Sequence, residues 1–131
     1  MKTFSYTRKI YYHDTDCGDV VYYANYLKFC EEARDEIFSA SGYDLRKLNQ
    51  TGTWFIVGAA TAEYRAPARF NDEVTVTTSV GKTGAASIDF VHELFRGETM
   101  LCRCTAKVIC VDPLFKPIKI PQDIRDVFTA E

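Results

Sequence analysis

The spacing of apolar and polar residues changes period several times along this chain, and each change marks an element. Over residues 3–13, Phe4, Tyr6, Ile10 and Tyr12 alternate with Ser5, Thr7 and Lys9, which predicts a strand that ends at His13. Residues 14–23 break the alternation and read as a loop. From 25 to 41 the period becomes helical. Tyr26, Phe29, Cys30, Ala33, Ile37 and Ala40 form one stripe, with Lys28, Glu32, Asp35 and Glu36 elsewhere and Gly42 as the stop. Lys28 and Glu32 are spaced to pair at i, i+4. Glu31 and Arg34 share a stripe with Leu27 and Phe38, a spacing that suits a surface pair and a buried or interfacial one equally. Residues 44–50 allow one or two further helical turns.

Beyond them the period returns to two. Residues 53–66 predict a strand rich in small side chains (Gly58, Ala59, Ala60, Ala62), ended by Pro67. Residues 73–80, 86–95 and 99–111 predict three more strands, with turns at Gly81–Gly84 and Gly97. A short helix is predicted at 122–128. One long helix with four or five strands in a meander makes an α+β domain, its antiparallel sheet wrapped around the helix.

Composition narrows the class. The 131 residues suit a single domain over 1–131, and 47% hydrophobic content marks a folded chain. A net charge of −2 argues against nucleic acid or an anionic membrane as partner. No apolar run reaches the ~20 residues of a membrane span, and the N-terminal stretch lacks a signal-peptide core. The expected location is cytoplasmic. Five cysteines, without paired Cys-x-x-Cys spacing, fit reduced thiols, and Cys102, Cys104 and Cys110 share the parity of a core-facing strand side.

The chemistry concentrates at Tyr11–Arg34. Asp14 and Asp16 sit on a loop that runs into a helix N-terminus, where unpaired N–H groups and the helix dipole favour negative charge. An acid beside an oxyanion-friendly spot suits acyl chemistry. The competing reading of Asp16 is a turn or cap aspartate. A calcium loop is excluded, since Asp19 stands where Gly is needed and Asn25 where Glu is needed. No Gly-x-Ser-x-Gly, phosphate-cradling or dinucleotide pattern occurs. His13 and His92 have no evident partner and read as structural, and no cofactor or metal is expected.

The same stretch resembles the signature of the hotdog-fold acyl-CoA thioesterases, in the 4-hydroxybenzoyl-CoA and YbgC-type branch. The matching residues are Asp14, Thr15, Asp16, Gly18, Val20, Val21, Tyr22, Ala24, Asn25, Tyr26, Glu31, Ala33 and Arg34. Two positions depart from the YbgC-type pattern: Asp19 stands where a second Gly is common, and Tyr23 where a His is usual. The resemblance implies a hotdog fold and hydrolysis of an acyl-CoA to a carboxylic acid and free CoA. It implies Asp16 as nucleophile or general base, the Tyr23 N–H as oxyanion donor, and Asp14 as a structural residue bonding backbone. Gly18, Val21, Tyr22, Asn25, Trp54 and Lys82 are the expected substrate-binding residues, with Arg65 and Arg69 as further candidates for the coenzyme phosphates. It also implies a homo-oligomer, a dimer or tetramer, with the N-terminal strand and Trp54–Phe55 as candidate contact surfaces. The alternatives are a thioesterase acting on acyl carrier protein and a non-catalytic acyl-CoA-binding module.

Overall fold

The computed structural model describes residues 2–129. Five strands form one antiparallel sheet in the order β1-β5-β6-β7-β4, from β1 (Thr3–Lys9), β4 (Trp54–Tyr64), β5 (Glu73–Thr83), β6 (Ser87–Arg96) and β7 (Thr99–Val111). A two-stranded ribbon, β2 (Thr15–Asp16) with β3 (Val20–Val21), stands apart. Helices α1 (Asn25–Ala40), α2 (Leu45–Gln50) and α3 (Gln122–Thr129) complete the chain.

The long helix lies on one face of the sheet, as its stripe requires. Its N-terminal half buries Tyr26, Phe29, Cys30 and Ala33 against Val74, Val76, Leu94, Leu101, Cys102 and Cys104. Its C-terminal half packs Ile37 and Phe38 with Phe90, Val108 and Cys110, and α3 closes that end with Ile124 and Phe128. Each large side chain buried this way contributes on the order of 2 kcal/mol. The opposite sheet face carries Ser5, Thr7, Thr75, Thr77 and Glu93 and has no covering layer among the described residues. Edge strand β4 exposes Gly58, Ala59 and Ala60 at a bulge between Val57 and Ala59. Glycine suits this bulge, because a Cβ at 58 would come within 2.5 Å of Ile109 Cδ1.

Several boundaries differ from the sequence reading. The first strand ends at Lys9 rather than His13, and Tyr12–Asp14 form a 3-10 turn. The cause is Asp14: its N–H donates to the Tyr11 carbonyl at 3.0 Å, and its carboxylate accepts the Tyr11 N–H at 2.9 Å. The loop at 14–23 contains the β2–β3 ribbon. Strand β5 continues through Gly81 and Lys82 to Thr83, so the expected turn at 81–84 lies later, at 84–86. Asp44 caps α2 by accepting the Arg46 N–H at 2.9 Å. Ala40 is exposed, whereas Arg34 and Phe38 join the buried face of α1.

Glu32 does not depend on Lys28. It takes Arg8 at 2.8 Å and the Tyr6 hydroxyl at 2.9 Å; burial, with this carboxylate adding to it, pushes the Tyr6 phenol up to about 12. His92 has partners after all. Its Nε2 lies 3.0 Å from Arg34 and its Nδ1 2.9 Å from the Thr78 hydroxyl, all three buried. Burial, with the Arg34 charge adding to it, holds His92 down at about 3, so it is neutral.

Candidate active site

The ribbon exists because Cys17 and Gly18 both take positive φ, 52° and 79°, and the Asp19 N–H reaches the Asp16 carbonyl at 3.3 Å. Two consecutive positive-φ residues twist a tight turn to match its strands. Glycine at 18 has a second reason: a Cβ there would meet the Tyr12 hydroxyl at 2.9 Å. The ribbon is fastened to the body on its β3 side, where the Val21 N–H donates to the Ala68 carbonyl at 2.9 Å and Arg69 pairs with Asp19 at 2.6 Å.

The two acids, Asp14 just before the ribbon and Asp16 within it, differ in their surroundings. Asp14 is buried and committed. Arg8 pairs with its carboxylate, the Tyr11 N–H donates to it, and its carbonyl accepts the Tyr22 N–H at 3.0 Å and the Asn25 amide at 2.8 Å. Arg8 therefore joins the ribbon to β1 and, through Glu32, to α1. Asp16 is exposed, and its carboxylate has no hydrogen bond or ion pair among the described residues. It stands near Tyr22, whose phenol is held above its usual range first by the Tyr23 hydroxyl and in smaller part by the Asp16 charge.

The helix start faces the same corner. Ala24 occupies the N-cap of α1 and no side chain caps it. The Asn25 N–H donates to the Tyr22 carbonyl at 2.9 Å, which fixes the Tyr22–Tyr23 peptide. The Tyr23 N–H at the other side of that planar unit has no partner among the described residues. A cavity of about 330 Å³ opens here, walled by Val21, Tyr23, Tyr26, Tyr64, Arg65, Ala66 and Pro67. Tyr26 is a buried strut whose hydroxyl accepts the Ala68 N–H at 3.0 Å.

Asp16, Gly18, Val21, Tyr22, Tyr23 and Asn25 thus lie in one corner, and Arg65 lines its cavity. Val21 is a core residue as well as a wall, and the Asn25 side chain is spent on the Asp14 carbonyl. Trp54 and Lys82 are elsewhere. Trp54 begins the strand that Tyr64 ends, roughly 30 Å away along it, and lines a different cavity of about 380 Å³ with Phe38, Leu45 and Phe55. Lys82 lies at the far end of β5 from Glu73 and the ribbon's anchor at Ala68–Asp72. Tyr64, Ala66 and Pro67 were missed as wall residues, since nothing in strand periodicity shows that the end of β4 meets the start of α1. Among the described residues no group of three or more His, Cys, Asp or Glu is arranged to hold a metal ion, and no helix is long and apolar enough to cross a membrane.

Residues 11–128 match the Thioesterase-like superfamily. The chain is 35% identical over 127 residues to the acyl-CoA thioesterase YbgC of Haemophilus influenzae, covering 95% of this chain and 93% of that one. It is 36% identical over 123 residues to the acyl-CoA thioester hydrolase YbgC of Escherichia coli, covering 92% of each. Among solved structures, the 1,4-dihydroxy-2-naphthoyl-CoA thioesterase of Synechocystis superposes with a TM-score of 0.91 at 25% identity, covering 98% of this chain and 97% of that chain. A protein from Aquifex aeolicus superposes at 0.90 with 24% identity, covering 96% and 99%, a likeness of fold alone. The chain has the hotdog fold and belongs to the thioesterase-like superfamily of enzymes.

Proposed function

We propose that this protein hydrolyses acyl-CoA thioesters to a carboxylic acid and free CoA, with Asp16 and the Tyr23 N–H as its chemical centre. The observation that carries the reading is the contrast between Asp14 and Asp16. Asp14 is fully engaged by Arg8 and backbone, while Asp16 is exposed with no partner among the described residues, on a ribbon whose second strand runs into the uncapped start of α1. An unengaged carboxylate is available to attack the thioester carbonyl carbon, or to take a proton from a water that does so. As the C–O bond forms, the carbonyl oxygen gains charge, and the Tyr23 N–H with the α1 dipole stabilises it there. Collapse breaks the C–S bond and releases CoA as thiolate. A thiol of reference pKa near ~8.5 leaves without a general acid, so one carboxylate suffices. If Asp16 attacks directly, the product of this step is an acyl anhydride that water then opens.

Arg65, exposed and lining the Tyr23 cavity, is the cation best situated for a coenzyme phosphate. Trp54 and Lys82 could contribute only from another copy of the chain. We propose a homo-oligomer, at least a dimer, formed along the β4 edge. That edge is long, small-sided and unpaired, and a two-fold axis near Ala59 would bring the Trp54 end of one copy to the Tyr64 end of the other. The five thiols are unpaired, four of them buried, and fit the reducing cytoplasm where we expect the protein.

The relatives carry acyl-CoA hydrolase names, which supports CoA over acyl carrier protein as the carrier. Steady-state hydrolysis of short, long and aromatic acyl-CoAs, beside the same acyl groups on carrier protein, tests the reading. Turnover of at least one acyl-CoA in preference to its carrier-protein counterpart is expected. Binding of acyl-CoA without release of thiol would instead establish a non-catalytic module.

A further inference from the structure

Tyr64 ends β4, forty-one positions from Tyr23, yet its hydroxyl donates a hydrogen bond to the Tyr23 carbonyl at 2.9 Å. Its ring stands edge-on to Tyr23, centroids 6.3 Å apart, and to Tyr26 at 5.5 Å. It also walls the cavity that opens onto the helix start. The carbonyl it holds needs such a partner, because the first turn of α1 is tight. The Leu27 N–H donates to Ala24 at 3.2 Å, and the Tyr23 carbonyl lies outside the helix.

Two consecutive peptide planes are therefore tied by their carbonyls. The Asn25 N–H holds Tyr22–Tyr23, and the Tyr64 hydroxyl holds Tyr23–Ala24. In a trans peptide the N–H points opposite to the C=O, so the Asn25 bond aims the Tyr23 N–H directly, while the Tyr64 bond aims the Ala24 N–H and holds the plane next to it. Between the two planes lie the φ and ψ of Tyr23 itself. Each plane is tied at one point, so untying the second frees φ and ψ of Tyr23 and lets the first swivel about its single remaining bond, carrying the Tyr23 N–H off line. Preorganised donors owe their catalytic value to needing no reorganisation when charge develops.

We infer that Tyr64 is a positioning residue: its hydroxyl fixes the Tyr23–Ala24 peptide and so, by restricting φ and ψ of Tyr23, steadies the preceding plane whose N–H faces the oxygen of the reacting carbonyl. The inference rests on the proposed thioesterase reading and adds a residue that acts through the backbone of another.

Tyr64→Phe tests it, because the ring contacts stay and only the hydroxyl goes. On the best acyl-CoA, kcat should fall roughly tenfold, the rate equivalent of one neutral hydrogen bond. KM should stay within about twofold, since the donor acts on charge that develops after binding. The melting temperature should move by only a few degrees, and the carbonyl ¹³C resonance of Tyr23 should shift upfield as its hydrogen bond is lost. An unchanged kcat in Tyr64→Phe, with the wild type active, overturns this inference alone. Parallel losses in KM and stability, with kcat preserved, overturn it too, as they mark a tyrosine that only shapes the pocket. A wild type that hydrolyses no acyl-CoA removes the parent reading and this one with it.

Discussion

Tyr23 separates what a side chain does from what its backbone does. The YbgC-type pattern has a histidine at this position, which titrates near neutral pH; a phenol does not. The account gives the chemistry to the N–H, so Tyr23→Phe should keep most of kcat and change mainly the acyl preference across a substrate series. Tyr23→Pro should abolish turnover by deleting the donor. A uniform thousandfold drop in Tyr23→Phe, about 4 kcal/mol in barrier, would assign the chemistry to the hydroxyl. His92 makes a prediction of a different kind. Its folded value of about 3 lies below the ~6.5 of an unfolded histidine, so between those values the unfolded chain binds the extra proton. Stability is then complete above about pH 6.5 and falls as pH drops toward 3, by up to about 1.4 kcal/mol per pH unit from this group. Denaturant unfolding from pH 7 to pH 4 checks this, and His92→Gln should flatten the curve by that amount. An unaltered slope in the variant would mean that other groups cause the acid sensitivity.

At the scale of elements, the ribbon is the part whose geometry is most demanding. Gly18→Ala forces a side chain into φ of 79° and against Tyr12. It should cost about 1–2 kcal/mol of stability and a larger share of activity, because the displaced turn carries Asp16. Kinetics and unfolding on the same preparation compare the two, and full activity would show that ribbon geometry is dispensable. Arg8 holds the other side. Its guanidinium is 11% exposed between Asp14 and Glu32, and Arg8→Met leaves a buried carboxylate unpaired, expected to cost roughly 3 kcal/mol by chemical denaturation. Little of this could be read from sequence. Strands β5 to β7 and α1 were legible because their burial follows simple periods of 2 and 3.6, β4 was legible from its small side chains and the Pro67 stop, and the Asp-x-Asp-x-Gly motif was legible as chemistry. The turn at Tyr12–Asp14 was not, because Tyr12 and His13 continue the strand pattern while the decisive contact is Asp14 reaching back to Tyr11. The buried Arg34–His92–Thr78 group was hidden for a related reason: its three members lie on three different elements, each polar residue unremarkable on its own. Trp54 and Lys82 were grouped with the ribbon by residue type, and strand lengths carry both to the other end of the sheet.

For the whole molecule, α1 with α3 at its C-terminal end covers one face of a five-stranded sheet, and the eleven-residue β4 edge is unpaired among the described residues. Such an edge is a standing site for strand addition. Analytical ultracentrifugation should therefore find a dimer or tetramer, and a strictly monomeric species with full activity would contradict a shared site. Chelation should leave turnover unchanged, because among the described residues Asp14 and Asp16 have no further ligands arranged beside them to hold a metal ion. Activity lost to a chelator and restored by one divalent ion would overturn that. The central claim, that Asp16 carries the thioester chemistry, is tested most directly by kcat of Asp16→Asn on the best acyl-CoA, with folding checked by circular dichroism. The exchange is nearly isosteric and removes only the base or nucleophile. The account predicts an intact fold with turnover reduced to a trace, while Asp14→Asn mainly loses stability. An Asp16→Asn enzyme with wild-type kcat would contradict it.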